Sequence, residues 1–254
     1  MCSADTAYGN PYQRPGQPLT CVQAFTRIVR SPTPEIEASW ESVGAVGPPP
    51  NGSMWDYDAA STALLPMPSP PHFAYVGRGV GTVSWQLPSL TPPLTFEKPE
   101  VWLEGRKDGY DSRYVEAAAS PARLSTGDFL ATYDTIINDG RQKTAPPALA
   151  CLGGVCRGFG AGWAVLNGSA PQQILQRGQE PLFMPMMPWE LGPRPEYPEW
   201  RWMQPTGFAI GATNGLMRVE ESKDHDTFIA WACASDSVVT PWVLRVRRWV
   251  GGAF

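Results

Sequence analysis

The sequence predicts an all-β protein of β-propeller type, and three observations carry that expectation. The 254 residues include 28 prolines and 25 glycines, above average usage of about 5% and 7%. The chain is nevertheless 43% hydrophobic, too apolar for a disordered one, so many turns and few long helices are expected. Finally, three apolar runs echo one another: His72-Phe73-Ala74-Tyr75-Val76-Gly77-Arg78, Asp128-Phe129-Leu130-Ala131-Thr132-Tyr133-Asp134 and Thr227-Phe228-Ile229-Ala230-Trp231-Ala232-Cys233. Each follows a turn and places a phenylalanine second. Repeats of about 40 to 50 residues of this kind point to blades.

In chain order, residues 1–20 are polar, rich in Pro, Gly and Gln and without periodicity, and read as a tail or edge segment. Residues 21–254 read as a single propeller-like domain with three to four blades visible. Strands are expected over 21–30 and 38–46, separated by the breaker Ser31-Pro32-Thr33-Pro34. A second unit comprises Asp58 to Leu65, His72 to Gly79, Gly81 to Trp85 and Val101 to Leu103, a four-stranded sheet in prospect. The third is the most complete. Ser125-Thr126-Gly127-Asp128 has tight-turn composition between two strand-like arms, and the runs from Gly162 and Ile174 follow it toward Pro188-Trp189-Glu190. In the last unit 214–220 and 226–236 form a hairpin. Residues 242–250 then alternate, with Trp242, Leu244, Val246 and Arg248 on one face and Val243, Arg245, Arg247 and Trp249 on the other.

Several function classes are excluded by composition. The formal net charge is −4 and the basic residues are scattered until Arg245, Arg247 and Arg248, which argues against a nucleic-acid partner. No apolar run approaches the ~20 residues of a membrane span. Met1-Cys2-Ser3-Ala4-Asp5 offers no basic and apolar leader, so no signal peptide is readable and a cytoplasmic location is the default expectation. Five cysteines lack metal-type spacing, and His72 and His225, expected to be exposed before strands, build neither a triad nor a zinc site. No metal and no cofactor are expected. The eleven tryptophans are read mainly as packing between sheets.

The run Gly162 to Pro185, followed by Pro188-Trp189-Glu190, resembles glycoside hydrolase family 130, whose members are five-bladed propellers that hydrolyse or phosphorolyse β-linked mannosides. The likeness lies in a glycine-led strand, the link Asn167-Gly168 to Ile174-Leu175-Gln176-Arg177, and Glu180-Pro181-Leu182 before an aromatic-glutamate pair. Asp58-Ala59-Ala60, Tyr75-Val76-Gly77-Arg78 and Ala230 to Asp236 are similar to further strands of the family, and the likeness spans roughly residues 38–250. It implies an oligosaccharide or glycoside substrate. By the resemblance Glu190 and Asp236 are the catalytic carboxylates, with Asp58 a weaker third. Arg78, Arg113, Tyr133, Asp134 and Trp189 are the substrate-binding candidates, Trp189 by stacking on a sugar face.

Two departures bear on the chemistry. The family's general acid belongs to an early Glu-Asp-Pro-Arg motif that these 254 residues do not contain, so the first blade reads as missing. Tyr133-Asp134 stands where phosphorolytic members carry Tyr-His-Gly, which favours hydrolysis. A catalytically inactive propeller that binds glycans or proteins is the alternative expectation. An open propeller side predicts self-association, because uncovered sheet faces and edges invite it.

Overall fold

The computed structural model describes residues 26–30, 33, 36, 39, 41–46, 58–79, 81–112, 115–137, 158–182, 210–234 and 238–247. Every regular element among them longer than one residue is a strand. The order is β1 (Thr26–Arg30), β2 (Glu41–Val46), β3 (Asp58–Leu65), β4 (His72–Gly79), β5 (Gly81–Leu87), β6 (Glu97–Glu104) and β7 (Val115–Ala117). It continues with β8 (Ala122–Arg123), β9 (Phe129–Ile137), β10 (Gly158–Leu166), β11 (Ile174–Arg177), β12 (Ile210–Glu221), β13 (His225–Ala234) and β14 (Val238–Arg247). The all-β expectation holds. No helix among the described residues is long and apolar enough to cross a membrane.

All pairings are antiparallel, and with β7 and β8 counted as two parts of one interrupted strand, all but one join neighbours in sequence. Strands β1 and β2 form a hairpin, β3 to β6 a four-stranded meander, β7 to β11 a second one whose first strand is split into β7 and β8, and β12 to β14 a three-stranded sheet. The exception is β4 with β7, which joins the two meanders into a nine-stranded network. The turn predicted at 125–128 closes as expected. Leu124 and Asp128 share a backbone hydrogen bond of 2.8 Å, and Gly127 takes φ +96°, a left-handed conformation natural to glycine.

Sheets and cores alternate in chain order, because side chains of successive strand residues point to opposite faces. On β4, Ala74 and Val76 pack with Val83, Trp85 and Leu87 of β5, while Phe73 and Tyr75 pack on the other side with Trp102, Leu103 and Val115. That second core also takes Phe129, Ala131 and Tyr133 from β9. Leu130 of β9 turns the opposite way, into a third core with Ala161, Phe228, Ala230, Ala232 and Leu244. Strands β4 and β9 are therefore buried on both faces, and β13 on one. The three phenylalanines of the echoing runs are all core: Phe73 and Phe129 are 4% exposed and Phe228 is 0% exposed. The repeat seen in sequence is thus structural, since β4, β9 and β13 are interior strands of successive sheets.

Aromatic residues pack as expected for most of the described tryptophans. Trp102 lies 4.2 Å from Tyr75, centroid to centroid, and Trp85 meets Phe96 edge-on at 6.3 Å. Tyr75 donates its hydroxyl to the Pro171 carbonyl at 3.0 Å, tying the first meander to the β10–β11 link, and burial pushes its pKa up. One expectation is corrected. His72 is 9% exposed rather than exposed, because its Nδ1 accepts the Met67 backbone N–H at 3.0 Å and closes the proline-rich turn before β4.

Candidate functional site

The β4–β7 pairing brings a set of charged positions into one row. Through Val76, β4 pairs with β5, the last register pair being Val76 with Val83. Gly77 then takes φ +115°, and the two residues after it pair with β7 instead, Arg78 with Glu116 and Gly79 with Val115. A non-glycine residue at such a φ is strained, so Gly77 is where the chain can change partner.

On the other edge of β4, position 78 is registered with Asp58 of β3, and on the far side of β7, Glu116 is registered with Asp134 of β9. Positions 58, 78, 116 and 134 therefore form one row across four adjacent strands, at about 4.8 Å per strand. Three of the four positions are those the sequence singles out, although they are far apart along the chain. Glu116 is missed, because β7 is only three residues long and offers no alternation to read. Glu116 is half-buried and Asp134 is 2% exposed, so the row runs into the protein at its β9 end. Backbone positions two strands apart in such a row lie about 10 Å from one another.

On the opposite face of β9, Tyr133 anchors a buried ionic cluster. Its hydroxyl donates to Asp111 Oδ2 at 2.7 Å, accepts from Arg177 Nε at 3.0 Å and lies 2.9 Å from the Tyr110 hydroxyl. Asp111 is 0% exposed and also receives Arg106 Nε at 2.9 Å on Oδ1 and Arg177 Nη2 on Oδ2. Each guanidinium also donates to a backbone carbonyl, Arg106 to Gly178 and Arg177 to Glu104, both at 2.7 Å. Burial alone would raise the Asp111 pKa. Hydrogen bonds from Arg106 and Tyr133 and the two guanidinium charges more than offset it and hold the carboxyl below its usual range. Burial likewise pushes the Tyr133 hydroxyl up, so it stays a neutral donor.

This cluster corrects one expectation. The loop carrying Arg106 and Asp111 is pinned between β9 and β11. Tyr133, expected to face substrate, is 0% exposed with its hydroxyl committed to three protein partners, so it braces β9 rather than meeting a sugar. A Cβ at Gly162, the β10 partner of Tyr133, would fall inside the Tyr133 ring, which accounts for the glycine there.

Of the other expected site residues, Arg113, Trp189, Glu190 and Asp236 lie outside the described residues, and Asp58 and Arg78 are described only as backbone. Among the described residues no group of three or more His, Cys, Asp and Glu side chains is arranged to hold a metal ion.

No family model matches the sequence, and neither does any curated protein. Solved structures do match. A β-1,2-mannobiose phosphorylase from Listeria innocua, in complex with β-1,2-mannobiose, superposes with a TM-score of 0.55 at 16% identity, covering 81% of this chain and 47% of its own. A glycosyl hydrolase from Bacteroides ovatus gives 0.55 at 16% identity, covering 80% and 54%. A structure described with glycoside hydrolases of family 130 that target β-1,2-mannosidic linkages in Candida mannan gives 0.52 at 16% identity, again covering 80% and 54%. The chain spans about half the length of these proteins. Over four-fifths of its residues it has the fold of glycoside hydrolase family 130 structures.

Proposed function

We propose that this protein acts on β-linked mannosides or closely related glycosides, and that it hydrolyses them rather than cleaving them with phosphate. The observation that carries the reading is the row Asp58, Arg78, Glu116 and Asp134, formed across adjacent strands in a fold shared with family 130 structures. A guanidinium among carboxylates suits a sugar, whose hydroxyls donate to carboxylates and accept from arginine.

In this reading Glu190 and Asp236 provide the carboxylate that takes a proton from water as the water attacks the anomeric carbon, and Trp189 stacks on the sugar face. Arg78 and Arg113 hold sugar hydroxyls, and Asp58 is the third carboxylate candidate. The leaving oxygen takes its proton from a carboxylic acid, as inverting hydrolysis requires. Asp134 in place of histidine after Tyr133 supports hydrolysis, because a carboxylate repels phosphate where an imidazolium would attract it. The shared third core, in which β9 and β10 pack on β13 and β14, supports a single domain over residues 21–254.

The test is incubation with β-mannobiosides in phosphate-free and phosphate buffers, alongside Glu190→Gln and Asp236→Asn. Turnover without phosphate that both substitutions abolish supports the reading, and turnover that survives both removes those residues from the site. Saturable mannobioside binding with no product would instead establish a propeller that binds glycan without cleaving it.

A further inference from the structure

The outer face of the β12–β14 sheet is apolar where a surface sheet would ordinarily be polar. Phe228, Ala230 and Ala232 of β13 point into the third core, so Thr227, Ile229 and Trp231 point the other way. The register sets Met217 beside Ile229 beside Val243, and Gly215 beside Trp231 beside Pro241. Met217 is 49% exposed, Val219 47%, Val239 58% and Val243 67%. Four of the seven exposed large hydrophobics among the described residues thus belong to this one sheet. The charged residues of the same face are sorted by edge: Glu220 on β12, and Arg245 and Arg247 on β14, all exposed. Glu220 and Arg245 flank Thr227 in a single row.

We propose that this face is an interface between two copies of the chain, packed about a two-fold axis that runs parallel to β13 midway between the two apposed sheets. That axis turns each β12 edge onto the partner's β14 edge at the same height. Met217 then meets the partner's Val243, Ile229 meets its own symmetry mate, and Glu220 meets the partner's Arg245, each contact between unlike residues occurring twice. A like-charged sheet would repel itself in this arrangement, whereas the sorting of charge by edge makes the face complementary to itself. Three strands at about 4.8 Å spacing over some seven residues of about 3.3 Å make a face on the order of 14 by 23 Å. This is smaller than the ~800 Å² per partner of a standard stable interface. The dimer is therefore a reversible one.

Sedimentation equilibrium over a wide concentration range reads it directly. The expected result is a monomer–dimer equilibrium that Val243→Glu weakens at least about tenfold while the thermal melt stays cooperative. Glu220→Arg and Arg245→Glu each weaken it about five- to tenfold, since each breaks two symmetry-related pairs worth a few-fold apiece. The double variant Glu220→Arg with Arg245→Glu regains most of the loss. A monomer at every concentration overturns the proposal, whatever else covers the face. A dimer indifferent to all three substitutions overturns it as well.

Discussion

Replacing Asp111 by asparagine removes the charge around which Arg106, Arg177, Tyr110 and Tyr133 are gathered while nearly preserving shape. Deleting one partner of a buried ionic pair costs about 3–5 kcal/mol, because the other charge stays buried without compensation. The Arg106 and Arg177 side chains retain 25% and 14% exposure, so water relieves part of that cost. The lower end, ~3 kcal/mol, is the appropriate figure. For a domain of this size that is a fall in Tm of about 6–12 °C, at ~2–4 °C per kcal/mol.

The pH dependence supplies a sharper test. The folded-state pKa of Asp111 is lowered, so its stabilisation is fully present above the unfolded value near ~3.9 and is lost as pH falls through the lower folded value. The stability gap between the native protein and Asp111→Asn should therefore be flat from about pH 5 to 7 and close below about pH 4. Urea titrations of both proteins at pH 7 and pH 3 measure it. A gap of the same size at both pH values, or one under ~1 kcal/mol at pH 7, refutes the reasoning.

Other perturbations follow from the same geometry. Gly162→Ala drives a methyl into the Tyr133 ring and should destabilise by about 1–3 kcal/mol in urea titration, whereas a neutral result would mean that the ring moves freely. Phe228→Ala empties a side chain that is 0% exposed and should cost about 3–5 kcal/mol, read by thermal melting. Asp226 accepts the Ser125 N–H at 2.9 Å and its hydroxyl at 2.8 Å, stapling the β8–β9 turn to β13. Asp226→Ala should cost about 1–3 kcal/mol and raise amide exchange first at residues 124–128.

What the sequence reveals follows from the range of the interaction involved. The β8–β9 hairpin is legible because its turn chemistry is local, and β14 is legible because Val243, Arg245 and Arg247 on one side and Leu244 on the other keep strict alternation. The row of positions 58, 78 and 134 is partly legible, because each lies in a strand of recognisable pattern, Asp58 and Arg78 toward its end. Its fourth member, Glu116, is hidden by the shortness of β7 and by the switch of partner at Gly77, which is a matter of backbone conformation. The Asp111 cluster is not legible at all. Arg177 is 66 positions from Asp111, and only the folded register of β9 against β10 and β11 brings them together. An acidic residue in a polar loop gives no local sign that it is buried.

The central claim is that this fold carries a phosphate-independent glycosidase site. Chromatography of the products released from β-mannobiosides tests it most directly, with the native protein and Glu190→Gln compared in buffers with and without phosphate. The account predicts free mannose from the native protein at a rate that phosphate leaves unchanged, and none from the variant. A mannose phosphate ester formed only when phosphate is present would contradict it.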